Sequence, residues 1–285
     1  MNTLRMPKLL AFLCFGLPLV VFVPMLTVAQ TSNAGHSRAV RNIVLVHGAW
    51  ANGSSWSQVI PLLEARGFHV VAAHIPLTSL QDDDAAVERA IQRITQANPG
   101  PVLLVGHSYG GVVIGDVPGN DSRVVGLVYV AAFAPDTGQS ALSLLSSLNS
   151  PPPIANYLVF DPAMTSVWIS DQGIANAFAQ DLSPFEQSQL AAVQGITAVG
   201  DLLATPTVTP AWKSKPSWFV ISGHDDVITA GLEQQEAQTI GAKTIFLPTC
   251  HVAMLQEPGR IADFISSVAE SLNHGFSFAG EVLQQ

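Results

Sequence analysis

Charged residues are scarce in this sequence, and basic residues are the scarcest of them. Only 12% of the 285 residues are charged, while 48% are hydrophobic. A chain this apolar can bury enough surface to offset the entropy lost on folding, which excludes an intrinsically disordered protein. Lys and Arg together number 12 against 21 Asp and Glu, a formal net charge of −9. Because such a chain is repelled by phosphate backbones, we expect no nucleic-acid partner.

The first 29 residues have the pattern of a secretory signal peptide. Arg5 and Lys8 precede an apolar run over residues 9–23, and residues 27–29 supply the small side chains of a cleavage site. The run is shorter than the ~20 apolar residues of a membrane span, and prolines interrupt it. We therefore predict a secreted or periplasmic protein with no stable membrane span after cleavage. An uncleaved N-terminal anchor is the alternative.

Cysteine is nearly absent, since the chain has only Cys14 and Cys250. Removal of the predicted signal peptide would remove Cys14 with it. The mature protein would then hold one thiol and no internal disulfide, which excludes a disulfide-stabilised scaffold. A buried, inert Cys250 is a simpler interpretation than a reactive thiol.

Cofactor motifs are lacking as well. The sequence has no H-E-x-x-H metal spacing, no Walker A loop and no dinucleotide-binding fingerprint. We therefore predict a chemistry that uses neither a metal nor a cofactor.

From residue 42 onward, short apolar runs alternate with helical patterns. The apolar runs predict six strands: Ile43–Val46, His69–Ile75, Val102–Val105, Val124–Val130, Trp218–Ile221 and Thr244–Leu247. The helical patterns lie between and after them: Trp56–Leu63, Asp82 to before Pro99, around Val112, Leu232–Ile240 and Ile261–Leu272. Continuous apolar strands that alternate with helices predict an α/β fold with a mostly parallel sheet covered on both faces.

Residues 137–212 interrupt this alternation. They are rich in Ser, Pro, Gln and Ala, contain no Lys or Arg, and show helical patterns but no clear strand. We interpret them as a helical cap inserted before the fifth core strand. The predicted organisation is a signal peptide at 1–29, a linker at 30–41, a core at 42–136 and 213–272, the cap at 137–212, and a tail at 273–285.

A nucleophile motif lies where the third predicted strand ends. The strand runs into Gly106-His107-Ser108-Tyr109-Gly110, a G-x-S-x-G pattern, and an apolar helix follows. In this strand–turn–helix context the pattern is typical of a nucleophile elbow, whose strained turn lifts the Ser108 hydroxyl above the sheet. A serine in an ordinary turn is the alternative.

A serine hydroxyl needs a base that takes its proton, and the base needs an oriented acid. His251 follows the last predicted strand and is our candidate base. Asp225 and Asp226 follow the strand before it, and the residues themselves leave both open as the acid. All three lie just beyond the C-terminal ends of strands, where open α/β sheets bind ligands.

Catalysis at a carbonyl group also needs N–H donors for the developing oxyanion. The backbone N–H of Tyr109, which follows the nucleophile, is one candidate. Ala49, in the loop after the first strand, is the other. Trp50 in the same loop and Trp168 in the cap are our candidate substrate-binding residues, with hydrophobic packing as the alternative for Trp50.

The motifs together resemble the α/β-hydrolase superfamily. They are most similar to the branch that holds plant methylesterases, hydroxynitrile lyases and small bacterial serine esterases. The resemblance spans roughly residues 42–272, and four segments carry it: Val46-His47-Gly48-Ala49-Trp50, Gly106 to Gly111, Gly223-His224-Asp225 and His251 to Pro258.

The resemblance also implies roles for individual residues. In this branch the acid stands two residues after a Gly and three before an Ile, which Asp225 satisfies and Asp226 does not. Hydroxynitrile lyases of the branch carry a Lys directly after the catalytic His. Val252 occupies that position here and favours an esterase.

We therefore predict a serine carboxylic-ester hydrolase that forms an acyl-enzyme, with the triad Ser108, Asp225 and His251. Anionic substrates are usually held by Arg or Lys, and the cap has neither, so small-to-medium neutral esters are the expected substrates. A catalytically weak ligand-sensing protein is one alternative, since a fold does not determine a function. A lyase or a cofactor-free peroxidase on the same scaffold is the other.

Overall fold

The computed structural model describes residues 39–117 and 121–281, the last eight of these as backbone only. The predicted signal peptide and most of the predicted linker lie outside these ranges. Within them, no helix combines the length and the apolar character that crossing a membrane requires.

The described chain contains nine strands. They are β1 (Asn42–Val46), β2 (His69–Ala73), β3 (Val102–Ser108), β4 (Val124–Ala132), β5 (Leu158–Phe160), β6 (Ser166–Ile169), β7 (Thr197–Ala198), β8 (Ser217–Ser222) and β9 (Lys243–Leu247). Six of them form the central sheet in the order β2-β1-β3-β4-β8-β9, and every neighbouring pair is parallel. Every residue of β1 and β3 is buried, as expected of parallel strands covered on both faces. The predicted α/β architecture is confirmed.

The helices are α1 (Val59–Glu64), α2 (Leu80–Ala97), α3 (Gly110–Asp116), α4 (Ala141–Ser146), α5 (Asp171–Gly173), α6 (Pro184–Val193), α7 (Val199–Leu203), α8 (Ala230–Thr239), α9 (Ala253–Gln256) and α10 (Pro258–Glu281). Short 3₁₀ helices lie at Gly53–Trp56, Pro153–Tyr157 and Ala211–Lys213, and a π-helix turn lies at Ile174–Phe178. Helix α10 continues into the segment that we interpreted as a tail, because helix growth past a polar stretch costs little once the helix has formed.

The cap holds the expected helices, α4 to α7, and also a small sheet that the sequence did not predict. Strands β5, β6 and β7 pair antiparallel within residues 137–212. They are two to four residues long, which is too short to show the alternation by which a strand is predicted.

Candidate active site

Ser108 is the last residue of β3 and stands in a strained turn. Its φ of +53° lies in the left-handed region, which residues with a Cβ rarely adopt. The turn leaves no room for side chains at the flanking glycines. A Cβ on Gly106 would lie 2.5 Å from the carbonyl oxygen of Gly110, and a Cβ on Gly110 would lie 2.7 Å from that of His47. The structure therefore forms the strand–turn–helix geometry that the G-x-S-x-G pattern predicts.

His251 and Asp225 form a buried pair. Nδ1 of His251 lies 2.6 Å from Oδ2 of Asp225, and both side chains are fully shielded from solvent. The other carboxylate oxygen, Oδ1, accepts the backbone N–H groups of Val227 at 2.6 Å and Ile228 at 2.9 Å. These three bonds hold the carboxylate in one orientation against the imidazole ring.

Asp226 takes a different role from its neighbour. Its carboxylate accepts a hydrogen bond from the side chain of Gln180 in the cap, at 3.4 Å, and its carbonyl accepts the N–H of Ile154. The structure thus pairs Asp225 with His251, and Asp226 contacts the cap.

The environment of Asp225 favours its ionised form. Burial by itself would raise the pKa of this carboxyl group. The adjacent His251 and the N–H groups of Ile228 and Val227 outweigh burial and hold the pKa below its ordinary value. Asp225 is therefore a carboxylate at neutral pH and can orient the imidazole and stabilise its protonated form.

His107, next to the serine, ties the elbow to the histidine loop. Its Nε2 lies 3.0 Å from the carbonyl oxygen of His251 and donates to it. Burial, together with the nearby His251, lowers the pKa of His107 far below its ordinary value, so the ring stays neutral. Sequence analysis named His107 only as a member of the Gly106 to Gly110 motif, because no local pattern shows a contact across 144 residues.

The remaining ring nitrogen of His251, Nε2, has no hydrogen-bond partner within residues 39–117 and 121–281. With the proton of the neutral ring on Nδ1, facing Asp225, Nε2 is able to accept a proton. Phe178 of the cap packs its ring 5.2 Å from the imidazole, centroid to centroid, and shields it from water. Sequence analysis did not assign a role to Phe178.

The loop after β1 lies directly against the nucleophile. A Cβ on Gly48 would stand 2.6 Å from the Cβ of Ser108, so only glycine allows this approach. Ala49 follows in the loop and Tyr109 follows the serine, and both line the same cavity as Ser108. The two residues predicted to supply oxyanion donors are thus brought to the serine.

Trp50 connects this loop to the cap. It has a φ of +57°, its N–H donates to Oγ1 of Thr197, and its ring Nε1 donates to the carbonyl of Val167, both at 3.1 Å. The ring also meets Phe178 edge to face. Trp50 lines the cavity beside Ser108, and its two hydrogen bonds hold the cap sheet over the site.

A cavity of about 320 Å³ opens beside Ser108. Its wall is almost entirely apolar, and the cap residues in it include Leu142, Leu145, Ile154 and Leu202. Trp168 is not among the lining residues, and it lies in β6 of the cap sheet, opposite Val159. The structure therefore does not bring Trp168 to the cavity, although it brings Trp50.

Two buried carboxyl groups near Tyr109, those of Asp83 and Asp201, were not identified from the sequence. The carboxylate of Asp83 accepts hydrogen bonds from the Tyr109 hydroxyl at 3.0 Å and from the N–H of Leu77 at 2.8 Å. Burial raises the pKa of Asp83 to about 6. Asp201 of the cap is fully buried. Burial and the charges of Asp83 and Asp82 raise the pKa of Asp201 to about 7. The pair lies where the cap meets the core.

Two other expectations concern Cys250 and metals. Cys250 is fully buried, and burial raises the pKa of its thiol to about 11, which makes it an inert group. Among the residues that the structure describes, no cluster of His, Cys, Asp or Glu has the arrangement of a metal site.

Known proteins are similar to this chain in sequence and in fold. The chain is 25% identical over 261 residues to salicylic acid-binding protein 2 of Nicotiana tabacum, covering 82% of this chain and 98% of that protein. It is 32% identical over 126 residues to a carbendazim hydrolyzing esterase of a Nocardioides species, covering 41% of this chain and 52% of that protein. The solved structure of a pyrethroid hydrolase from Sphingobium faniae superposes with a TM-score of 0.70 at 20% identity, covering 81% of this chain and 98% of that one.

The sequence model of the alpha/beta hydrolase family matches residues 43–264. This range includes the elbow at Ser108, the Asp225–His251 pair and the cap between them. The chain belongs to the alpha/beta hydrolase family.

Proposed function

We propose that the protein is a serine carboxylic-ester hydrolase that acts through an acyl-enzyme on small-to-medium neutral esters. One observation carries the proposal. The buried His251–Asp225 pair leaves Nε2 of the imidazole without a partner within residues 39–117 and 121–281, and the same site holds a serine in a strained elbow at the wall of an apolar cavity. A protein that only bound apolar ligands would need neither the strained turn nor the buried charged pair.

The reaction has two halves. The hydroxyl oxygen of Ser108 forms a bond to the ester carbonyl carbon while His251 takes the hydroxyl proton at Nε2. Asp225 stabilises the imidazolium that results. The tetrahedral intermediate collapses by breaking its bond to the alcohol oxygen, to which His251 returns the proton, and the acyl-enzyme remains. Water then attacks the acyl carbon by the same steps and releases the acid and Ser108.

The backbone N–H groups of Ala49 and Tyr109 serve as donors to the carbonyl oxygen as it gains charge. Tyr109 begins the turn into α3, so its N–H belongs to the unpaired set at a helix start. The close approach of Gly48 to Ser108 sets the distance between the two donors and the nucleophile. Loss of one such donor costs on the order of 10²–10³ in rate in other enzymes.

Substrate charge and size follow from the cavity. Its volume of about 320 Å³ and its apolar wall suit a neutral acyl or alcohol group, since no Lys or Arg occurs in residues 137–212. A free carboxylate or phosphate would be desolvated there without a counter-charge. The relative named as a carbendazim hydrolyzing esterase supports ester hydrolysis as the reaction.

The test is turnover of p-nitrophenyl butyrate by the wild type and by Ser108→Ala. Removal of the nucleophile should lower kcat by roughly 10⁶-fold. Ser266→Ala is the matched control, because that buried serine donates only within helix α10 and should leave kcat unchanged. Activity that survives Ser108→Ala would reject the proposal. Fluorophosphonate labelling of Ser108 with no turnover of any ester would instead favour a ligand-sensing protein.

We also propose that the protein is exported, on the pattern of residues 1–29. Expression of the full chain in a bacterial host should place the protein in the periplasm or the medium, with a new N-terminus near Gln30. A chain that stays in the membrane fraction with its first residues intact would support the anchor instead.

A further inference from the structure

A buried glutamate lies beside the Asp225–His251 pair without a role in the reaction described above. Glu233 belongs to α8 and has no exposed surface. Its Oε2 accepts the backbone N–H of Ser222, the last residue of β8, at 3.0 Å. Among the described residues, no N–H or O–H group donates to its other oxygen, Oε1. A buried carboxyl oxygen with no donor points to a carboxyl group that carries a proton of its own.

Besides burial, the causes that raise the pKa of Glu233 are the charge of Asp225 and a side-chain hydrogen bond between the two carboxyl groups. Two carboxyl groups share such a bond only when one of them supplies the proton. Asp225 already accepts from Val227, Ile228 and His251, so its charged form is the stabilised one. Glu233 must therefore be the donor.

The burial of Glu233 also favours its protonated form, which is the form that can donate a hydrogen bond to Asp225. Removal from water, with the charge of Asp225 beside it, raises the pKa of Glu233 well above its ordinary value, and the N–H of Ser222 opposes the shift only in part. Asp225 is the charged group that acts on Glu233, and Asp225 is itself bonded to Nδ1 of His251. Ionisation of Glu233 would place two carboxylates side by side in a site without solvent.

We propose that Glu233 is a positioning residue, a neutral carboxylic acid that donates a hydrogen bond to Asp225 and holds this carboxylate in the orientation in which it supports His251. The inference rests on the proposed function for its effect on catalysis. Its structural part, the protonated Glu233 bonded to Asp225, stands independently of the substrate.

The chain offers a matched pair of glutamates for the test. Glu236 lies one turn further along α8, is also buried, and accepts the N–H of Ala134 at 2.9 Å. It forms no hydrogen bond with Asp225 or His251. Substitution to Leu at either position removes a buried carboxyl group and leaves one backbone N–H without its acceptor. Substitution to Gln keeps both a donor and an acceptor in nearly the same shape.

Ester hydrolysis should separate the two positions. We expect Glu233→Leu to lower kcat by roughly 10- to 100-fold with little change in KM, the range typical of groups that orient a reactive side chain. Glu233→Gln should retain at least about half of kcat, since its amide N–H replaces the donor. Glu236→Leu should lower Tm without a comparable loss of kcat. A Glu233→Leu variant with wild-type kcat, or a Glu233→Gln variant as impaired as Glu233→Leu, would overturn the proposal.

A second readout does not depend on any ester. The proton between Nδ1 of His251 and Asp225 gives a downfield NMR resonance, which should be present in the wild type and Glu233→Gln and shifted or broadened in Glu233→Leu. An unchanged resonance in folded Glu233→Leu would refute the positioning role. Failure of the Ser108→Ala test with the expected NMR result would reject the esterase but keep the Glu233–Asp225 bond.

The protonation state of Glu233 is tested by stability against pH, which needs only the folded Glu233→Gln variant. An acid whose pKa is raised in the folded state retains a proton that the unfolded chain releases above pH 4.5, so it lowers stability as pH rises. The Tm of the wild type should therefore fall relative to Glu233→Gln between pH 4.5 and 8. A constant difference over this range would show that Glu233 is ionised and would overturn the proposal.

Discussion

Nδ1 of His251 and Oδ2 of Asp225 lie 2.6 Å apart in an interior where neither side chain is exposed. The two residues are 26 positions apart in the chain and follow neighbouring strands, β8 and β9, which meet at the same edge of the sheet. Since burial penalises an unpaired charge, the imidazole stabilises the buried carboxylate together with the N–H groups of Val227 and Ile228. The expected effect of Asp225→Asn follows from this pairing.

Asp225→Asn should impair catalysis severely, and Asp226→Asn should change it little. An amide at position 225 cannot stabilise an imidazolium and favours the wrong tautomer, so we expect kcat to fall by about 10³- to 10⁴-fold. Asp226 makes its hydrogen bonds to Gln180 and Ile154 of the cap, so its amide should keep kcat within about threefold of the wild type. Steady-state hydrolysis of p-nitrophenyl butyrate measures both. The reverse ranking would assign the acid to Asp226.

Gly48→Ala should displace the nucleophile. The added methyl group would stand 2.6 Å from the Cβ of Ser108, so the loop or the elbow must move and kcat should fall by at least about tenfold. Gly231→Ala is the control, because nothing lies within 4 Å of its added methyl and its backbone is helical. It should stabilise the protein by roughly 0.5 kcal/mol without changing kcat. Equal kcat in the two variants would contradict the close approach.

Asp201→Asn should stabilise the protein at alkaline pH and leave it unchanged near pH 4. The pKa values of Asp83 and Asp201 are raised to about 6 and 7, so the folded protein retains protons that the unfolded chain releases above pH 3.8. Stability is therefore lost as pH rises through these values. Removal of one charge should recover on the order of 1–3 kcal/mol at pH 8. Thermal melts of both proteins from pH 4 to pH 8 test this, and parallel curves would contradict it.

A neutral methyl ester should be hydrolysed in strong preference to the half-acid with a free carboxylate at the same chain length. We expect a ratio of kcat/KM of at least about 100, because the apolar wall desolvates the anion without a partner. Leu202→Arg would place a guanidinium in the wall of the cavity. This change should lower the ratio of kcat/KM between the methyl ester and the half-acid by about tenfold, because the guanidinium can pair with the carboxylate. Equal turnover of both substrates by the wild type would show that the anion stays in solvent.

Cys250 should resist alkylation in the native protein. The thiol is fully buried and its pKa is raised to about 11, so the reactive thiolate is scarce at pH 8. Iodoacetamide should label the Cys250 peptide in denaturant but not in the folded protein, as measured by mass spectrometry. Rapid labelling of the native protein together with loss of activity would contradict an inert role.

The parts of the site that the sequence predicted are those held by local backbone geometry. The G-x-S-x-G pattern specifies a turn within five residues. The acid was left open between Asp225 and Asp226 by the residues themselves, and only the resemblance to the hydrolase branch implied Asp225. Residues of the cap that contact the catalytic residues of the core showed no local sequence pattern by which they could be predicted. Phe178 contacts His251 from the cap, whereas Trp168, an equally plausible aromatic, does not line the cavity.

By itself, the amino-acid sequence determined the alternation of strands and helices, the strained serine turn and the absence of cations from the cap, because periodicity, glycine placement and composition act over a few neighbouring residues. Only the tertiary structure decided which carboxylate meets His251, which aromatics cover the site, and that Glu233 lies against Asp225. These contacts join residues from different strands and helices, and their energies depend on burial, which exists only once the chain has folded.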